Sequence, residues 1–235
     1  ASDPALAQPY DAHRLAAKAA CKRALQTQLG LAEEATAPLL GVVSRLTEQK
    51  GLDLLLEVGD ALAGEGAQLA VLGSGEHWME HGFRELAGRH PGRCAAVIGF
   101  DEALAHRIEA GADVFVMPSR FEPCGLNQMY SLAYGTPPIV RATGGLEDSV
   151  ENFDEEALTG NGFKFRQLTA TALFDTIGWA AYTFYNNPKG MQALRRNGMK
   201  KRFTWEEAAL KYEELYRLAV LRRRGVEYCR NRFGE

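Results

Sequence analysis

The sequence predicts an α/β domain with a Rossmann-like, doubly wound parallel sheet. From Pro38 onward, short aliphatic and β-branched runs alternate with longer amphipathic stretches, which is typical of βαβ units. The resulting order, strand and helix in strict alternation, implies right-handed crossovers and helices on both faces of the sheet. A length of 235 residues suits one large domain of this class.

Five apolar runs are interpreted as strands, at residues 39–44, 68–72, 95–98, 114–118 and 138–140. The stretches between them are predicted helices, at residues 52–63, 77–89, 102–110 and 128–134. Ligands of such sheets bind at the carboxyl ends of the strands. The loops that follow the strands are therefore the places to search for a site.

The two flanks of this region are predicted to be mostly helical. Residues 1–31 read as a helical lead-in that ends at Gly30. After a short strand at 162–165, helices are predicted at 170–185, 189–200 and 205–223, separated by an Asn-Pro break and by Thr204 as a helix cap. We interpret residues 1–235 as a single domain with C-terminal helices over 170–223.

The composition excludes several classes of partner and site. The formal net charge is −3, so we expect binding neither to nucleic acid nor to a membrane surface. The four cysteines are widely spaced, without a Cys-x-x-Cys pair, and predict neither a disulfide framework nor a zinc site. No apolar stretch approaches the roughly 18 residues of a membrane span. The expected location is the cytoplasm.

The loop after the first predicted strand carries two cations. Arg45 and Lys50 lie five residues apart, beside Gly51 and the start of a helix. An arginine fork, a lysine point charge and a helix N-terminus all suit a diphosphate. From this loop alone, the alternative that both are ordinary surface residues is equally well supported.

The loop after the fourth predicted strand is the most informative. Residues 118–128 read Pro-Ser-Arg-Phe-Glu-Pro-Cys-Gly-Leu-Asn-Gln, and a loop of this kind can direct successive backbone N–H groups at an anion. Pro123 fixes the approach and Gly125 allows close contact. Glu122 is the candidate carboxylate. Cys124 is interpreted as a small residue packed under the loop rather than as a reactive thiol.

Two further loops contain glycines. Residues 73–76, Gly-Ser-Gly-Glu, lack the third glycine of a dinucleotide-binding fingerprint, so the glycines of a tight turn are the preferred interpretation. Residues 143–146, Thr-Gly-Gly-Leu, form either a simple turn or another ligand-facing loop at the same edge of the sheet.

Several short motifs follow one another in a fixed order along the chain. In chain order they are the loop at 44–51, Gly99-Phe100, Gly111-Ala112-Asp113, the loop at 118–126, Tyr134-Gly135-Thr136, the glycine loop at 143–146, and the segments 203–206 and 211–216. This ordered set resembles the glycogen and starch synthases of glycosyltransferase family five, and the likeness spans nearly the whole chain.

The resemblance implies a GT-B architecture, in which two Rossmann-like domains face each other across a cleft. This chain would be the C-terminal, donor-binding domain of an ADP-glucose:α-1,4-glucan 4-α-glucosyltransferase. It has about half the length of such an enzyme and lacks the family's Lys-x-Gly-Gly-Leu motif, so we expect the N-terminal acceptor domain to be absent and the isolated chain to be inactive. The implied partners are ADP-glucose and an α-1,4-glucan, and neither a cofactor nor a metal is implied.

The resemblance also implies roles for particular residues. Arg45 and Lys50 would bind the donor pyrophosphate and stabilise the departing ADP, and Glu122 would contact the glucosyl hydroxyls; these three are the predicted catalytic residues. Phe100, after Gly99, occupies the position where the family offers an aromatic face to adenine. The other predicted substrate-binding residues are Cys124, Gly125, Leu126, Asn127, Thr143, Gly144 and Gly145.

Two other functions stay open. A family-four transferase that uses a UDP-sugar usually has a second glutamate eight positions after the first, where this chain has Tyr130. A non-catalytic nucleotide- or glucan-binding module is the other alternative, against which the intact Arg45, Lys50 and Glu122 count. The resemblance implies transfer with retention of configuration, usually assigned to front-face attack because Glu122 has no obvious carboxylate partner of the kind that retaining glycosidases use.

Overall fold

The computed structural model describes residues 3–224, which divide into two compact units after Lys201. The first unit is a six-stranded parallel sheet with flanking helices. Its strands are β1 (Leu39–Val43), β2 (Gln68–Gly73), β3 (Cys94–Ile98), β4 (Val114–Met117), β5 (Pro138–Arg141) and β6 (Phe163–Phe165). Its helices are α1 (Lys18–Leu29), α2 (Leu52–Gly64), α3 (His77–Arg89), α4 (Glu102–Gly111), α5 (Asn127–Ala133), α6 (Gly144–Ser149), α7 (Ala170–Asn186) and α8 (Pro188–Lys200). The second unit contains α9 (Trp205–Arg224).

The strand order is β3-β2-β1-β4-β5-β6, and every neighbouring pair is parallel. The winding direction reverses between β1 and β4, so the loops that follow these two strands lie at the topological switch point, where doubly wound sheets bind their ligands. The predicted fold class is confirmed. The two loops with the predicted catalytic residues are the ones at this point.

The core has two layers, one on each face of the sheet. Leu40 and Val42 of β1 point toward α2, α3 and α7, whereas Leu39 points to the opposite face and packs with α1 and α4. Successive strand residues point to opposite faces, and all three side chains are buried. Burial on both faces explains why the strands read as continuous apolar runs.

Every strand and helix predicted between residues 39 and 224 is present, and no end differs by more than one residue. Several helix starts are fixed by side chains that accept a backbone N–H of the first turn. Asp101 accepts from Leu104 at 2.8 Å, and Asn187 accepts from Gly190 at 2.8 Å.

Two predictions about local structure were wrong. The lead-in is not mostly helical: after a short 3₁₀ turn, only Lys18–Leu29 forms an α-helix. Residues 3–14 are instead held by side-chain contacts, such as the Tyr10 hydroxyl donating to the Tyr134 carbonyl at 2.7 Å, and Pro9 disfavours a helix there. The segment after Thr143, predicted as a turn or loop, forms the six-residue helix α6.

Candidate functional site

The loops after β1 and β4 are packed against each other at the carboxyl edge of the sheet. A 3₁₀ turn at Glu48–Lys50 follows β1 and ends at Gly51. Gly51 has a φ of +65°, and a Cβ atom there would lie 2.0 Å from the Pro118 carbonyl oxygen, so only glycine fits. This close approach sets Lys50 beside the loop that carries Glu122.

Lys50 and Glu122 form an ion pair, with 2.5 Å between Nζ and Oε2. The same carboxylate oxygen accepts a hydrogen bond of 3.3 Å from the Ser119 hydroxyl. Only 18% of the Lys50 side chain and 8% of the Glu122 side chain are exposed, and charges this buried require partners because their desolvation is costly. The structure therefore brings together two of the three predicted catalytic residues.

Arg45, the third predicted catalytic residue, lies exposed on the β1 loop. Its guanidinium donates one long hydrogen bond, of 3.4 Å, to the Gln49 side chain. A guanidinium has five N–H donors in a fork, so most of them are available to an anion.

Two arginines that sequence reasoning missed brace the β4 loop. Arg141, at the end of β5, donates to the Ser119 carbonyl at 2.8 Å and also to the Arg120 carbonyl. Arg120 in turn donates to the Glu48 carbonyl at 3.0 Å and forms a 2.5 Å ion pair with Asp53 of α2. These bonds tie the β4 loop to its two neighbours and fix its backbone.

The start of α6 packs against the same loop from behind. A Cβ atom at Gly144 would lie 2.3 Å from the Glu122 carbonyl oxygen, and one at Gly145 would lie 2.1 Å from the Cys124 carbonyl oxygen. The Gly145 N–H donates to the Glu122 carbonyl at 2.9 Å. The observed contacts of Gly144 and Gly145 are thus with the loop backbone, and a ligand contact by these residues or by Thr143 stays a prediction.

Residues 124–127 form the outer part of the β4 loop. Cys124 is exposed, so the interpretation that it packs under the loop is wrong; Gly145 of α6 packs against its backbone carbonyl. Leu126 is 58% exposed, and Gly125 adopts a φ of +73°. Asn127 begins α5 and donates from Nδ2 to the Val43 carbonyl at 2.7 Å, which joins the loop to the end of β1.

Two adjacent cavities open at this edge of the sheet. The smaller one, of about 210 Å³, is lined by Lys50, Ser119 and Leu126, among others. The larger one, of about 450 Å³, extends past Gly99 and Phe100. Phe100 is 90% exposed, so its ring is free to stack on a flat ligand group. The residues that line both cavities are Val43, Ser44, Arg45 and Asn127.

The glycines at the end of β2 and just after it serve close packing rather than a tight turn. A Cβ atom at Gly73 would lie 1.9 Å from the Ser44 carbonyl oxygen, and one at Gly75 would lie 2.3 Å from the Leu46 carbonyl oxygen. Neither glycine is among those with a positive φ. The tight-turn interpretation was therefore wrong, because these glycines let the β2 loop pair with the β1 loop through the Leu46 N–H.

The larger cavity also contains an acidic group that sequence reasoning missed. Glu109 of α4 lines it and is only 3% exposed. Burial, together with the negative charge of Asp3, raises the pKa of the Glu109 carboxyl to about 8. The pKa of Asp3 is lowered: burial alone would raise it, but hydrogen bonds from the Tyr134 hydroxyl, the Ala5 N–H and His106 outweigh that effect. No motif marks Glu109 in the sequence.

Within residues 3–224, no group of three or more His, Cys, Asp or Glu side chains is arranged to hold a metal ion. No helix in the described part of the chain is long and apolar enough to cross a membrane.

The doubly wound parallel sheet, with these loops at its switch point, has the Rossmann-like architecture of a GT-B glycosyltransferase domain, and a solved glycosyltransferase shares it. The family model described as "Glycosyl transferases group 1" matches residues 29–200, and the chain belongs to this family.

Glycogen synthases are among the relatives that the chain matches. It is 52% identical over 233 residues to "Glycogen synthase 1" of Geobacter sulfurreducens and 57% identical over 226 residues to the glycogen synthase of Dechloromonas aromatica. These alignments cover 99% and 95% of the chain but 46% of each relative. The chain thus spans about half the length of the curated relatives it matches.

A solved structure of a starch synthase is also similar to this chain. The catalytic domain of starch synthase IV from Arabidopsis thaliana, bound to ADP and acarbose, has a TM-score of 0.83 and 33% identity, and the match covers 94% of this chain and 46% of that one. The resemblance to glycogen and starch synthases, predicted from the motifs, is confirmed.

Proposed function

We propose that this chain is the C-terminal, donor-binding half of a retaining ADP-glucose:α-1,4-glucan 4-α-glucosyltransferase, that is, of a glycogen or starch synthase. The observation that carries the proposal is the Lys50–Glu122 ion pair at the switch point of the sheet, beside two adjacent cavities. The glycogen synthases among the relatives and the ADP-bound starch synthase support the same donor class.

The cavities suggest how the donor lies. Lys50 and Arg45 line the smaller cavity together, and Arg45 also lines the larger one, so the diphosphate belongs between them. The glucose then lies next to Glu122, and the adenosine extends toward Phe100. The backbone of residues 124–127 contributes N–H groups to the sugar and phosphate oxygens.

These residues would act mainly by electrostatics. As the glycosidic bond breaks, negative charge grows on the departing ADP, and fixed cations at Arg45 and Lys50 stabilise it most in that state. An oxygen of Glu122 is engaged by Lys50 and Ser119. These two hydrogen bonds favour a role for Glu122 in binding the sugar hydroxyls over a role as the nucleophile that attacks the anomeric carbon.

The acceptor is proposed to be an α-1,4-glucan, bound mainly by the part of the longer enzyme that this chain does not include. No cofactor is required for this chemistry. We also propose a cytoplasmic location, with which the free thiols of Cys21, Cys94 and Cys124 are consistent because a reducing compartment keeps thiols reduced.

The proposal is tested by titrating ADP into the 235-residue chain and its variants by calorimetry. Lys50→Ala and Arg45→Ala each remove a charge-assisted phosphate contact, so we expect roughly ten- to hundredfold weaker binding. Lys189→Ala, an exposed cation outside both cavities, is the matched control and should bind ADP as the wild type does.

Unchanged ADP affinity in both variants would reject the phosphate role of these residues. The same titration with UDP addresses the family-four alternative, for which tighter binding of UDP than of ADP is the supporting result. A chain that binds neither nucleotide would reject the donor site as a whole.

A further inference from the structure

Helix α4 turns one face toward the larger cavity. The residues of this face follow helical spacing and are Glu102, Ala105, His106 and Glu109. Glu109 is the innermost, seven residues along the helix from Glu102 and therefore about 10 Å away at 1.5 Å per residue. It is only 3% exposed, although it is a carboxylic acid.

The Glu109 carboxyl has no partner among residues 3–224. None of them donates a hydrogen bond to it or forms an ion pair with it, and the charge that acts on it most directly is the like charge of Asp3. Buried polar groups without partners are rare and costly, and each one calls for an explanation. A ligand group that donates a hydrogen bond is such an explanation at the wall of a cavity.

Three other polar side chains around this cavity already have partners, and those with free hydrogen-bonding capacity, such as Arg45 and Glu102, are exposed. Asp101 caps α4 through the Leu104 N–H, His106 bonds to Asp3 at 2.8 Å, and Asn127 donates to the Val43 carbonyl. Glu109 is therefore the deeply buried cavity side chain with unused hydrogen-bonding capacity.

The position of the cavity identifies the part of the ligand that Glu109 would meet. In the proposed donor pose, the diphosphate lies at Arg45 and the base at Phe100 on the rim. The ribose joins the two and faces the wall between α4 and α5, where Glu109 and Tyr130 lie. Ribose hydroxyls are donors, and a carboxyl oxygen is a suitable acceptor for them.

We propose that the Glu109 carboxyl accepts a hydrogen bond from a ribose hydroxyl of the donor nucleotide, which makes Glu109 a specificity-determining residue for ribonucleotides. This inference rests on the proposed function, because it requires a nucleotide in the larger cavity. It gives this chain an acidic ribose contact on α4.

The test compares ADP with 2′-deoxy-ADP and 3′-deoxy-ADP in calorimetric titrations of the 235-residue chain. For the wild type, we expect the deoxy form that lacks the contacting hydroxyl to bind roughly two- to tenfold more weakly than ADP, the loss of one hydrogen bond to a carboxyl that is mostly neutral near pH 7. In Glu109→Ala this discrimination should disappear, and ADP should bind as weakly as that deoxy form.

Two further variants separate an effect on nucleotide binding from an effect on folding. Glu109→Gln retains an acceptor oxygen of the same shape and should retain part of the discrimination. Glu57→Gln changes an exposed carboxylate of α2 that lines neither cavity and should discriminate as the wild type does. Thermal unfolding of each variant shows whether it is folded before it is titrated.

Wild-type discrimination that persists in Glu109→Ala would overturn the inference, and so would a wild type that binds both deoxy forms as well as ADP. If Glu109→Ala instead loses the preference for ADP over IDP, which differ at the base, the carboxyl contacts the base and the ribose assignment is wrong. In all these cases ADP still binds the wild type through Arg45 and Lys50, so the proposed function stands. Its own failure is recognised by the absence of ADP binding.

Discussion

At the scale of single residues, Lys50 and Glu122 each combine a structural role with a proposed binding role. Their ion pair neutralises two largely buried charges, yet the proposed function requires Lys50 to bind a phosphate and Glu122 to bind glucose. Both roles are compatible because an ammonium group has three donors, and Lys50 uses one of them on Glu122. The pair therefore links the sugar side of the site to its phosphate side.

This arrangement predicts separate effects for Glu122→Gln. The variant removes the charge that holds Lys50, so ADP affinity should stay the same or rise, whereas glucose transfer by a full-length synthase that carries the substitution should fall roughly ten- to hundredfold or more. Calorimetry with ADP and incorporation of labelled glucose measure the two effects. Glu151→Gln, which breaks the exposed ion pair to Lys201, is the control. Equal losses of ADP affinity and transfer would place Glu122 at the nucleotide instead.

At the scale of secondary-structure elements, the site depends on close contacts between backbones. The β1 loop packs against the end of β4 at Gly51, and the start of α6 packs against the β4 loop at Gly144 and Gly145. A side chain at these positions would push the loops apart. Glycine is thus required for the positions of Lys50 and Glu122, although it contributes no functional group.

Gly145→Ala tests this dependence. Its Cβ atom would lie 2.1 Å from the Cys124 carbonyl oxygen, so the β4 loop must move, and we expect ADP affinity to fall at least tenfold, the equivalent of about 1.4 kcal/mol. Gly178→Ala is the matched control: its Cβ atom meets nothing within 4 Å, inside helix α7, so ADP affinity should be unchanged and stability should rise by up to about 1 kcal/mol. An unchanged ADP affinity in Gly145→Ala would show that the loop position is not critical.

The sequence predicted the strands and helices well because each one follows its own hydrophobic period. It also predicted the loops that meet at the switch point, because parallel strands share one carboxyl edge. The braces from Arg141 and Arg120 could not be predicted, since they depend on which strands and loops are neighbours. Burial of Glu109 and exposure of Cys124 were missed for the same reason: both depend on packing between elements distant in sequence.

At the scale of the whole molecule, the proposed donor site lies at one edge of the sheet, and the chain spans about half the length of its glycogen synthase relatives. A GT-B transferase brings donor and acceptor together between two domains. In the proposed function, the residues described here provide cations, a carboxylate and an aromatic ring for the donor. The proposed acceptor site belongs to the rest of the longer enzyme.

The most direct test of this account is to incubate the purified 235-residue chain with labelled ADP-glucose and glycogen, and to measure both bound and transferred label. Without the second domain to orient the acceptor, roughly 7–11 kcal/mol of barrier reduction is lost, about five to eight powers of ten in rate. We therefore predict saturable binding of ADP-glucose with no detectable incorporation into glycogen. Incorporation comparable to that of a full-length synthase would contradict the account, because it would place the acceptor site within this chain.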